Sequence, residues 1–245
     1  YPNVSFNNYF EPFLGGGAFF FSFDIKNANL SDINSDLINT YIQVRDCPLL
    51  LINELKKLKN DTITYEKVKK SKPILPLEQA ARFLFLNRTS FGGIYRVNKK
   101  GEFNVPYGGK DRSHDILWTN NIIINASKKL QKTNIVQSDF ESVIKKAKAG
   151  DLVYCDPIYT VSHNNNCFKR YNEKNFLWED QIRLLKCVSN AVARGVKVIV
   201  SNAYHKEIKA LYNNFTLHKV QRSSCLCPLP EKRKKTFEYL AVSDN

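Results

Sequence analysis

A short acidic motif follows one of the predicted buried strands. The run Asp151-Leu152-Val153-Tyr154-Cys155 is typical of a core strand, and Asp156-Pro157-Ile158-Tyr159 comes directly after it. Open α/β sheets bind their ligands at the carboxyl ends of strands, so Asp156 would face such a ligand with a carboxylate. Taken alone, the tetrapeptide is also compatible with a turn that merely ends a strand.

A glycine-rich turn near the start of the chain forms a second candidate site. Gly15-Gly16-Gly17 follows a short apolar segment, and the next predicted strand carries an acid, Asp32, near its end. The order strand, glycine turn, helix, strand and acid is that of an α/β unit that binds a nucleoside. Turns and tight packing explain most glycine runs, however, and Asp32 and Asp139 have the alternative role of helix caps.

The elements that must position these residues alternate along the chain. Helices are predicted over 36–44, 141–148 and 179–194, and strands over 134–140, 151–155, 196–200, 215–220 and 236–242. Continuous apolar strands separated by helices indicate a mostly parallel sheet covered on both faces. We therefore predict an α/β fold in which residues 1–45 and 116–245 form one domain and residues 46–115 form an inserted lobe.

The inserted lobe combines basic and aromatic residues. Seven lysines lie between Lys56 and Lys72, and short alternating runs around Lys100-Gly101 predict a β-hairpin. A surface that contacts both bases and phosphates needs such an alternation of aromatic and basic side chains. A solvated, soluble surface is the alternative for each lysine taken singly.

The charge balance narrows the classes of partner. The 245 residues carry 37 Lys and Arg against 23 Asp and Glu, a formal charge of +14, which favours a polyanion such as nucleic acid. With 43% hydrophobic residues and only short apolar runs, the chain is predicted to fold and to have no membrane span. Because no charged-then-apolar signal segment opens the chain, we expect a soluble, intracellular protein. Its six cysteines lack the paired spacing of a zinc site, and a chain of this size does not need disulfides, so we expect reduced thiols. Its four histidines are scattered and are assigned no metal site.

The sequence contains no Met, even at position one, so we expect residue 1 to lie inside a longer gene product.

Several motifs together resemble one enzyme family. The chain is similar to the Dam-type adenine-specific DNA methyltransferases, which transfer a methyl group from S-adenosylmethionine to N6 of adenine and release S-adenosylhomocysteine. This resemblance implies a Rossmann-like methyltransferase fold with an inserted DNA-recognition lobe, double-stranded DNA as partner and no metal. The matching stretches are 10–18, 31–39, 86–89, 95–98, 101–106, 138–140, 150–157 and 201–203.

The resemblance gives the acidic motif a catalytic role. Asp156 and the carbonyl of Pro157 would accept the two hydrogens of the adenine amine, and Tyr159 would stack on a base flipped out of the duplex. Phe168 stands where the family uses an aromatic residue to close the pocket. Ile158 replaces the second proline of the family motif, which loosens the turn and leaves a catalytically impaired, DNA-binding relative as the alternative.

The same resemblance implies the cofactor and DNA contacts. Around S-adenosylmethionine it places Glu11, Phe13, Gly15, Gly17, Asp32, Asp139, Phe140 and Asp156. On DNA it places Arg88, Phe91, Arg96, Asn98, Lys99, Lys100 and Phe168. Phe91 would wedge into the base stack and Arg96 would read a guanine, which favours GATC as target. Gly92 stands where bacterial enzymes usually have a polar residue and leaves other targets open.

Two further questions stay open at the level of the sequence. A third hypothesis is a methyltransferase that acts on RNA or on a protein amide, because related motifs occur in enzymes that methylate those substrates. The sequence also leaves open the oligomeric state and whether a companion restriction endonuclease exists.

A cytosine-C5 methyltransferase is excluded, because that chemistry needs Cys directly after Pro and this chain has only the order Cys-Pro.

Overall fold

The computed structural model describes residues 5–98, 100–110, 112–117, 121–160, 176–223 and 235–244. Its strands are β1 (Tyr9–Glu11), β2 (Ala28–Asp32), β3 (Asn134–Gln137), β4 (Leu152–Cys155), β5 (Lys197–Ala203), β6 (Thr216–Ser223) and β7 (Lys235–Val242). Its helices are α1 (Ala18–Ser22), α2 (Ser35–Asp46), α3 (Pro48–Lys56), α4 (Thr62–Lys70), α5 (Pro76–Thr89), α6 (Ile122–Leu130), α7 (Phe140–Ile144), α8 (Trp178–Ala193) and α9 (Lys206–Leu211). Short 3-10 helices span Phe91–Gly93 and His114–Leu117.

Seven strands of the described ranges pair in one sheet, in the order β3-β2-β1-β4-β5-β7-β6. The pairs β1–β2, β1–β4 and β4–β5 are parallel, whereas β7 is antiparallel to both β5 and β6. The predicted α/β, Rossmann-like fold with a mostly parallel sheet is confirmed, and so is the terminal strand pair.

The strand order reverses at β1, which has β2 on one side and β4 on the other. In open α/β sheets, the ligand crevice forms beyond the carboxyl ends of the strands at such a switch point. Because β1 ends at Glu11 and β4 ends at Cys155, the glycine turn and the acidic motif both leave the sheet at this point.

Apolar side chains from the central strands and from α7, α8 and α9 form the core of this part of the molecule. The strands β1, β4 and β5 are buried along most of their length, as expected for parallel strands covered on both faces. The most completely buried members of this core are Ile144, Val153, Cys155, Leu184, Val188, Ala191, Val196, Val198, Val200, Ile208 and Tyr212. This packing fixes the strand ends that carry the candidate site.

Polar caps and prolines mark the helix starts. The Asn34 side chain accepts from the backbone N–H of Leu37 and caps α2, and Asp139 accepts from the N–H of Glu141 and caps α7. Pro48 and Pro76 lie in the first turns of α3 and α5. Of the two acids predicted as alternative caps, Asp139 has that role, whereas at α2 the cap is Asn34 and not Asp32.

The described residues group into two compact units. The first contains those within 1–33, 136–166 and 176–245, and the second contains those within 34–135. The first unit carries most of the sheet, and the second carries α2 to α6. The functional division at residues 46 and 115 stays a prediction.

The predicted hairpin of the second unit is reduced to a turn held by one isolated bridge. Val97 pairs with Phe103 in an isolated antiparallel bridge, and the N–H of Asn98 donates to the carbonyl of Glu102. Gly101 has φ = 73°, a left-handed conformation that favours glycine, so the reversal of the chain depends on this residue.

The described α-helices are short, and all of them except α1 carry charged side chains. The longest, α8, has 16 residues and includes Glu179, Asp180 and Arg183. None of the helices within the described ranges has the length and apolar character needed to cross a membrane.

Candidate active site

The acidic motif is held by hydroxyl groups at the carboxyl ends of β4 and β5. The hydroxyl of Tyr159 donates to Oδ1 of Asp156 at 3.2 Å and lies 2.8 Å from Oγ of Ser201. Burial, and then the negative charge of Asp156, raises the pKa of Tyr159 well above its ordinary value. Tyr159 therefore keeps its proton, and since that proton goes to Asp156, Ser201 is the donor in the second bond.

Asp156 itself is exposed, whereas Pro157 behind it is buried. The register of β4 with β5 pairs Cys155 with Val200, so Asp156 and Ser201 each follow a paired residue on neighbouring parallel strands. This register explains how residues that are distant in the sequence come to share one tyrosine hydroxyl. The arrangement presents one carboxylate in a defined orientation at an exposed strand end.

Glu11 lies at the end of β1 and is only 2% exposed. The hydroxyl of Tyr9 donates to its Oε2 at 2.7 Å. Burial raises the pKa of the Glu11 carboxyl to about 8; the hydrogen bond from Tyr9 opposes this rise, and the negative charge of Asp156 adds to it. Glu11 is therefore largely neutral at pH 7. The negative charge of the site is correspondingly smaller than the number of its acidic residues implies.

The glycine turn leaves open space beside its backbone. Gly15 and Gly17 have φ values of 46° and 63°, which L side chains rarely adopt, and no heavy atom lies within 4 Å of a Cβ built at Gly15 or Gly16. The N–H of Gly15 donates to Oδ2 of Asp32 at 3.0 Å, and the N–H of Leu14 donates to the carbonyl of Ser31 at 2.9 Å. Asp32 thus anchors the turn at the ends of β1 and β2.

Asp139 and Phe140 follow β3 and form the start of α7. Phe140 is 5% exposed, and its ring packs against Phe13 with the centroids 5.2 Å apart. Arg183 of α8 donates two hydrogen bonds to the Asp139 carboxylate, at 2.8 and 3.0 Å. These bonds are the main reason that the pKa of Arg183 is raised. The structure therefore brings Phe13 against Phe140, and it places Arg183, which was not predicted, against both Asp139 and Phe140.

The second unit carries most of the predicted DNA-contacting residues. Phe91 is 56% exposed, although its backbone N–H is bonded to the carbonyl of Pro106. A Cβ on Gly108 would lie 2.4 Å from Cα of Phe91, so only glycine allows this close approach. The structure thus holds the Phe91 backbone in place while its ring faces solvent.

Other predicted DNA residues make contacts within the second unit. Nε of Arg96 donates to Oδ1 of Asn104 at 2.8 Å, and Oδ1 of Asn98 accepts the backbone N–H groups of Lys100 and Glu102 at 2.8 and 3.0 Å. Asn98 therefore stabilises the turn, Lys100 is exposed, and Arg96 is oriented by an amide.

Three predicted DNA-contacting residues remain, namely Arg88, Lys99 and Phe168. Nη2 of Arg88 donates to the carbonyl of Ile116 at 3.2 Å. Lys99 and Phe168 lie outside the described residues. Within the described part of the chain, no group of three or more His, Cys, Asp or Glu side chains is arranged to hold a metal ion.

The sequence analysis did not identify Tyr9 or Arg183 as residues of this site, and it assigned no role to Ser201. Ser201 belongs to a stretch that matches the family, but no chemistry was attached to it. Tyr9 is two residues before Glu11, a spacing that places both side chains on one face of a strand, and this signal was available. Arg183 lies 44 residues from Asp139, and nothing in the local sequence connects them.

Comparison with known proteins gives this geometry a family. Residues 1–224 match the family described as D12 class N6 adenine-specific DNA methyltransferase. The chain is 36% identical to the Type II methyltransferase M1.LlaDCHI of Lactococcus lactis subsp. cremoris, over 97% of this chain and 87% of the relative. It is 34% identical to the Type II methyltransferase M.MjaIII of Methanocaldococcus jannaschii, over 96% and 87% of the two chains.

The chain is also similar, over nearly its whole length, to a relative that is named a DNA adenine methylase and not a Type II methyltransferase. The chain is 29% identical to the DNA adenine methylase of Escherichia coli (strain K12), over 95% of this chain and 84% of the relative. The predicted resemblance is therefore confirmed. The strand order reverses at β1, an acid directly follows β4, and the family match covers most of the sequence. The chain belongs to the D12 class of N6-adenine-specific DNA methyltransferases.

Proposed function

We propose that this protein transfers a methyl group from S-adenosylmethionine to N6 of an adenine flipped out of duplex DNA, with Asp156, Pro157 and Tyr159 as its catalytic residues. The observation that carries the proposal is the hydroxyl chain from Ser201 through Tyr159 to Asp156 at the end of β4. It holds a carboxylate at the sheet edge where α/β enzymes bind their ligands.

The reaction needs an exocyclic amine to become a better nucleophile. The lone pair of that nitrogen is conjugated into the adenine ring, and two acceptors on its hydrogens favour the tetrahedral form that can attack. Asp156 would supply one acceptor and the Pro157 carbonyl the other, and the carboxylate also stabilises positive charge that develops on nitrogen. No covalent intermediate is required.

Tyr159 has a second task in this scheme. Its hydroxyl, which remains protonated, orients the Asp156 carboxylate, while its ring is available for stacking on the flipped base. Preorganised hydrogen bonds of this kind reduce the reorganisation needed as charge develops. The hydroxyl chain is assembled with Ile158 in the motif, which supports activity despite the missing second proline.

The residues at the switch point fit S-adenosylmethionine. The open space beside Gly15 and Gly16 allows a ligand to approach the backbone, and Asp32 lies at the end of the second strand, where acids contact ribose hydroxyls. When bound, the cofactor supplies an electrophilic methyl group on a sulfonium centre. Its holding residues would be Glu11, Phe13, Gly15, Gly17, Asp32, Asp139, Phe140 and Asp156.

The second unit would recognise DNA. Exposed Phe91, on a backbone fixed by Pro106 and Gly108, is suited to wedge into the base stack, and Arg96, oriented by Asn104, is suited to a bidentate contact with guanine. GATC is the target we propose to test first. The DNA backbone would be contacted by Arg88, Asn98, Lys99 and Lys100. Phe168 would close the pocket that holds the flipped adenine.

The biological setting is part of the proposal. Two of the similar proteins are named Type II methyltransferases, which supports a companion restriction endonuclease, whereas a third is named a DNA adenine methylase. An intracellular location, where both DNA and cofactor occur, follows from the proposed substrate.

The test is methyl transfer with tritium-labelled S-adenosylmethionine to two matched duplexes. One contains GATC, and in the other the GATC adenines of both strands already carry an N6-methyl group. Label in the first duplex only supports the proposal. Binding of S-adenosylhomocysteine without any transfer to GATC or to mixed-sequence DNA would favour the impaired, DNA-binding alternative. Label transferred to RNA in preference to DNA would support the hypothesis that the protein is an RNA methyltransferase.

A further inference from the structure

Arg183, on the second turn of α8, is surrounded by three acids. Its Nη1 donates to Oδ1 of Asp139 at 2.8 Å and to Oε2 of Glu141 at 3.2 Å, and its Nη2 donates to Oδ2 of Asp139 at 3.0 Å and to Oδ1 of Asp180 at 3.1 Å. The two bonds to Asp139 form a parallel fork, the geometry in which arginine binds a carboxylate most specifically. One guanidinium therefore links the beginnings of α7 and α8.

The same guanidinium also covers an aromatic ring. Its central carbon lies 4.0 Å from the centroid of the Phe140 ring, and that ring packs against Phe13 and Phe176 with centroid distances of 5.2 and 6.0 Å. A cation over a ring face is an attractive contact. Arg183 thus constrains both neighbouring residues, Asp139 through its carboxylate and Phe140 through its ring.

This cluster differs from an ordinary surface ion pair. Asp139 and Arg183 have side-chain exposures of 40% and 38%, and an isolated pair so exposed contributes little to stability. Here, however, Oδ1 of Asp139 also accepts the backbone N–H of Glu141, so the carboxylate is fixed from two directions. The expected effect is on the orientation of Asp139 and Phe140 rather than on the stability of the fold.

We propose that Arg183 is a positioning residue for the cofactor site: it holds the Asp139 carboxylate and the Phe140 ring in the arrangement that binds S-adenosylmethionine. The inference rests on the proposed function, which places Asp139 and Phe140 at the cofactor. Lysine cannot replace arginine in this role, because one ammonium group cannot form the parallel fork and cover the ring at once.

The experiment measures the dissociation constant of S-adenosylhomocysteine by calorimetry, together with kcat and the KM for S-adenosylmethionine. We expect Arg183→Lys to raise the dissociation constant and KM roughly tenfold, the effect of losing about one hydrogen bond to a charged group. The kcat at saturating cofactor should change less than about twofold, since Arg183 acts on cofactor binding only.

Arg194 provides a matched control at the C-terminal end of α8. It also ties α8 to the segment around α7, since its Nη2 donates to the carbonyls of Ile144 and Ala147 at 3.1 and 3.4 Å, but these bonds go to backbone carbonyls and not to the Asp139 carboxylate. Arg194→Lys should leave cofactor binding unchanged. Equal weakening of cofactor binding by both substitutions would show a general packing role and overturn the inference.

Asp139→Asn separates positioning from other effects. Asparagine caps a helix about as well as aspartate, so α7 should be retained. In this background Arg183→Lys should raise the dissociation constant clearly less than the tenfold expected in the wild type, because the carboxylate is gone and only the contact with the Phe140 ring remains. A full tenfold effect of Arg183→Lys in the Asp139→Asn background, or wild-type binding by Arg183→Lys alone, would overturn the inference.

Failure of the proposed function gives a different result. If the wild-type protein binds S-adenosylhomocysteine but transfers no methyl group, the proposed function fails, and the binding measurements still test Arg183. If the wild-type protein binds no S-adenosylhomocysteine, both proposals are overturned.

Discussion

The hydroxyl of Tyr9 donates a 2.7 Å hydrogen bond to Oε2 of Glu11, two residues along the same strand, and neither side chain is exposed by more than 2%. The pair lies on β1, the strand that precedes the glycine turn and at which the sheet order reverses. A buried acid at this position is expected to be neutral in the folded protein at pH 7, because burial raises its pKa to about 8.

This pKa predicts how stability depends on pH. In the unfolded chain the Glu11 carboxyl ionises near its ordinary value of 4.5, whereas in the folded protein it keeps its proton to about pH 8. The folded state thus binds more protons between these values, and the contribution of Glu11 is complete below about pH 4.5 and is lost as pH rises through 8.

The measurement compares the wild type with Glu11→Gln by urea denaturation at intervals from about pH 5 to pH 9. The free energy of unfolding of the wild type should fall relative to the variant by an amount on the order of a few kcal/mol up to about pH 8, and then level off. Gln keeps an acceptor for Tyr9, so packing is matched. A difference that does not vary with pH would show that Glu11 is ionised in the folded state throughout.

The hydroxyl chain predicts a graded loss of activity. Tyr159→Phe removes the donor to Asp156 and should lower kcat roughly 10- to 100-fold, the effect of one hydrogen bond to a charged group in the transition state. Ser201→Ala leaves the bond from Tyr159 to Asp156 in place and should cost less than about tenfold. Single-turnover rates at saturating cofactor and DNA give the order. A larger loss in Ser201→Ala than in Tyr159→Phe would contradict the proposed direction of the chain.

Ile158→Pro tests the departure from the family motif. Proline fixes φ and stiffens the turn that carries the Pro157 carbonyl, so kcat should rise severalfold while the KM for cofactor stays unchanged. The assay is steady-state methyl transfer by both proteins. An unchanged kcat would show that the turn already has its productive geometry with Ile158.

Arg96 and Lys100 should affect DNA binding in different ways. Arg96→Ala is expected to relax specificity at one base position, at a cost of roughly 1–3 kcal/mol, because it removes a contact to a base edge. Lys100→Ala should weaken all sequences alike and lower the salt slope by about one, as the loss of a phosphate contact does. Competition between duplexes that differ at one position, repeated at several salt concentrations, separates the two. Uniform weakening by Arg96→Ala would identify it as a phosphate contact.

The sequence was most informative where local patterns determine structure. The apolar runs that became β4 and β5, together with the helix predicted over 179–194, led to the correct fold class. The predicted hairpin at Gly101 kept its turn but has a single bridge where strands were expected, because the polar contacts of Asn98 close it locally.

Contacts between distant residues could not be predicted in this way. Two examples are the pair of hydrogen bonds between Arg183 and Asp139 and the bond between the hydroxyls of Tyr159 and Ser201. Both depend on how α8 and β5 pack in the fold, and no local sequence pattern determines that packing. The neutral state of Glu11 is likewise a consequence of burial in three dimensions and not of residue type.

Asp156 is the residue on which the proposed mechanism depends most, and one comparison tests it directly. Methyl transfer to a duplex containing GATC is measured for the wild type and for Asp156→Ala, alongside the affinity of each for S-adenosylhomocysteine. We predict that the substitution abolishes formation of N6-methyladenine while cofactor affinity changes only a few-fold, because the carboxylate acts mainly on the adenine amine. Formation of N6-methyladenine by Asp156→Ala at a rate near that of the wild type would contradict the central claim.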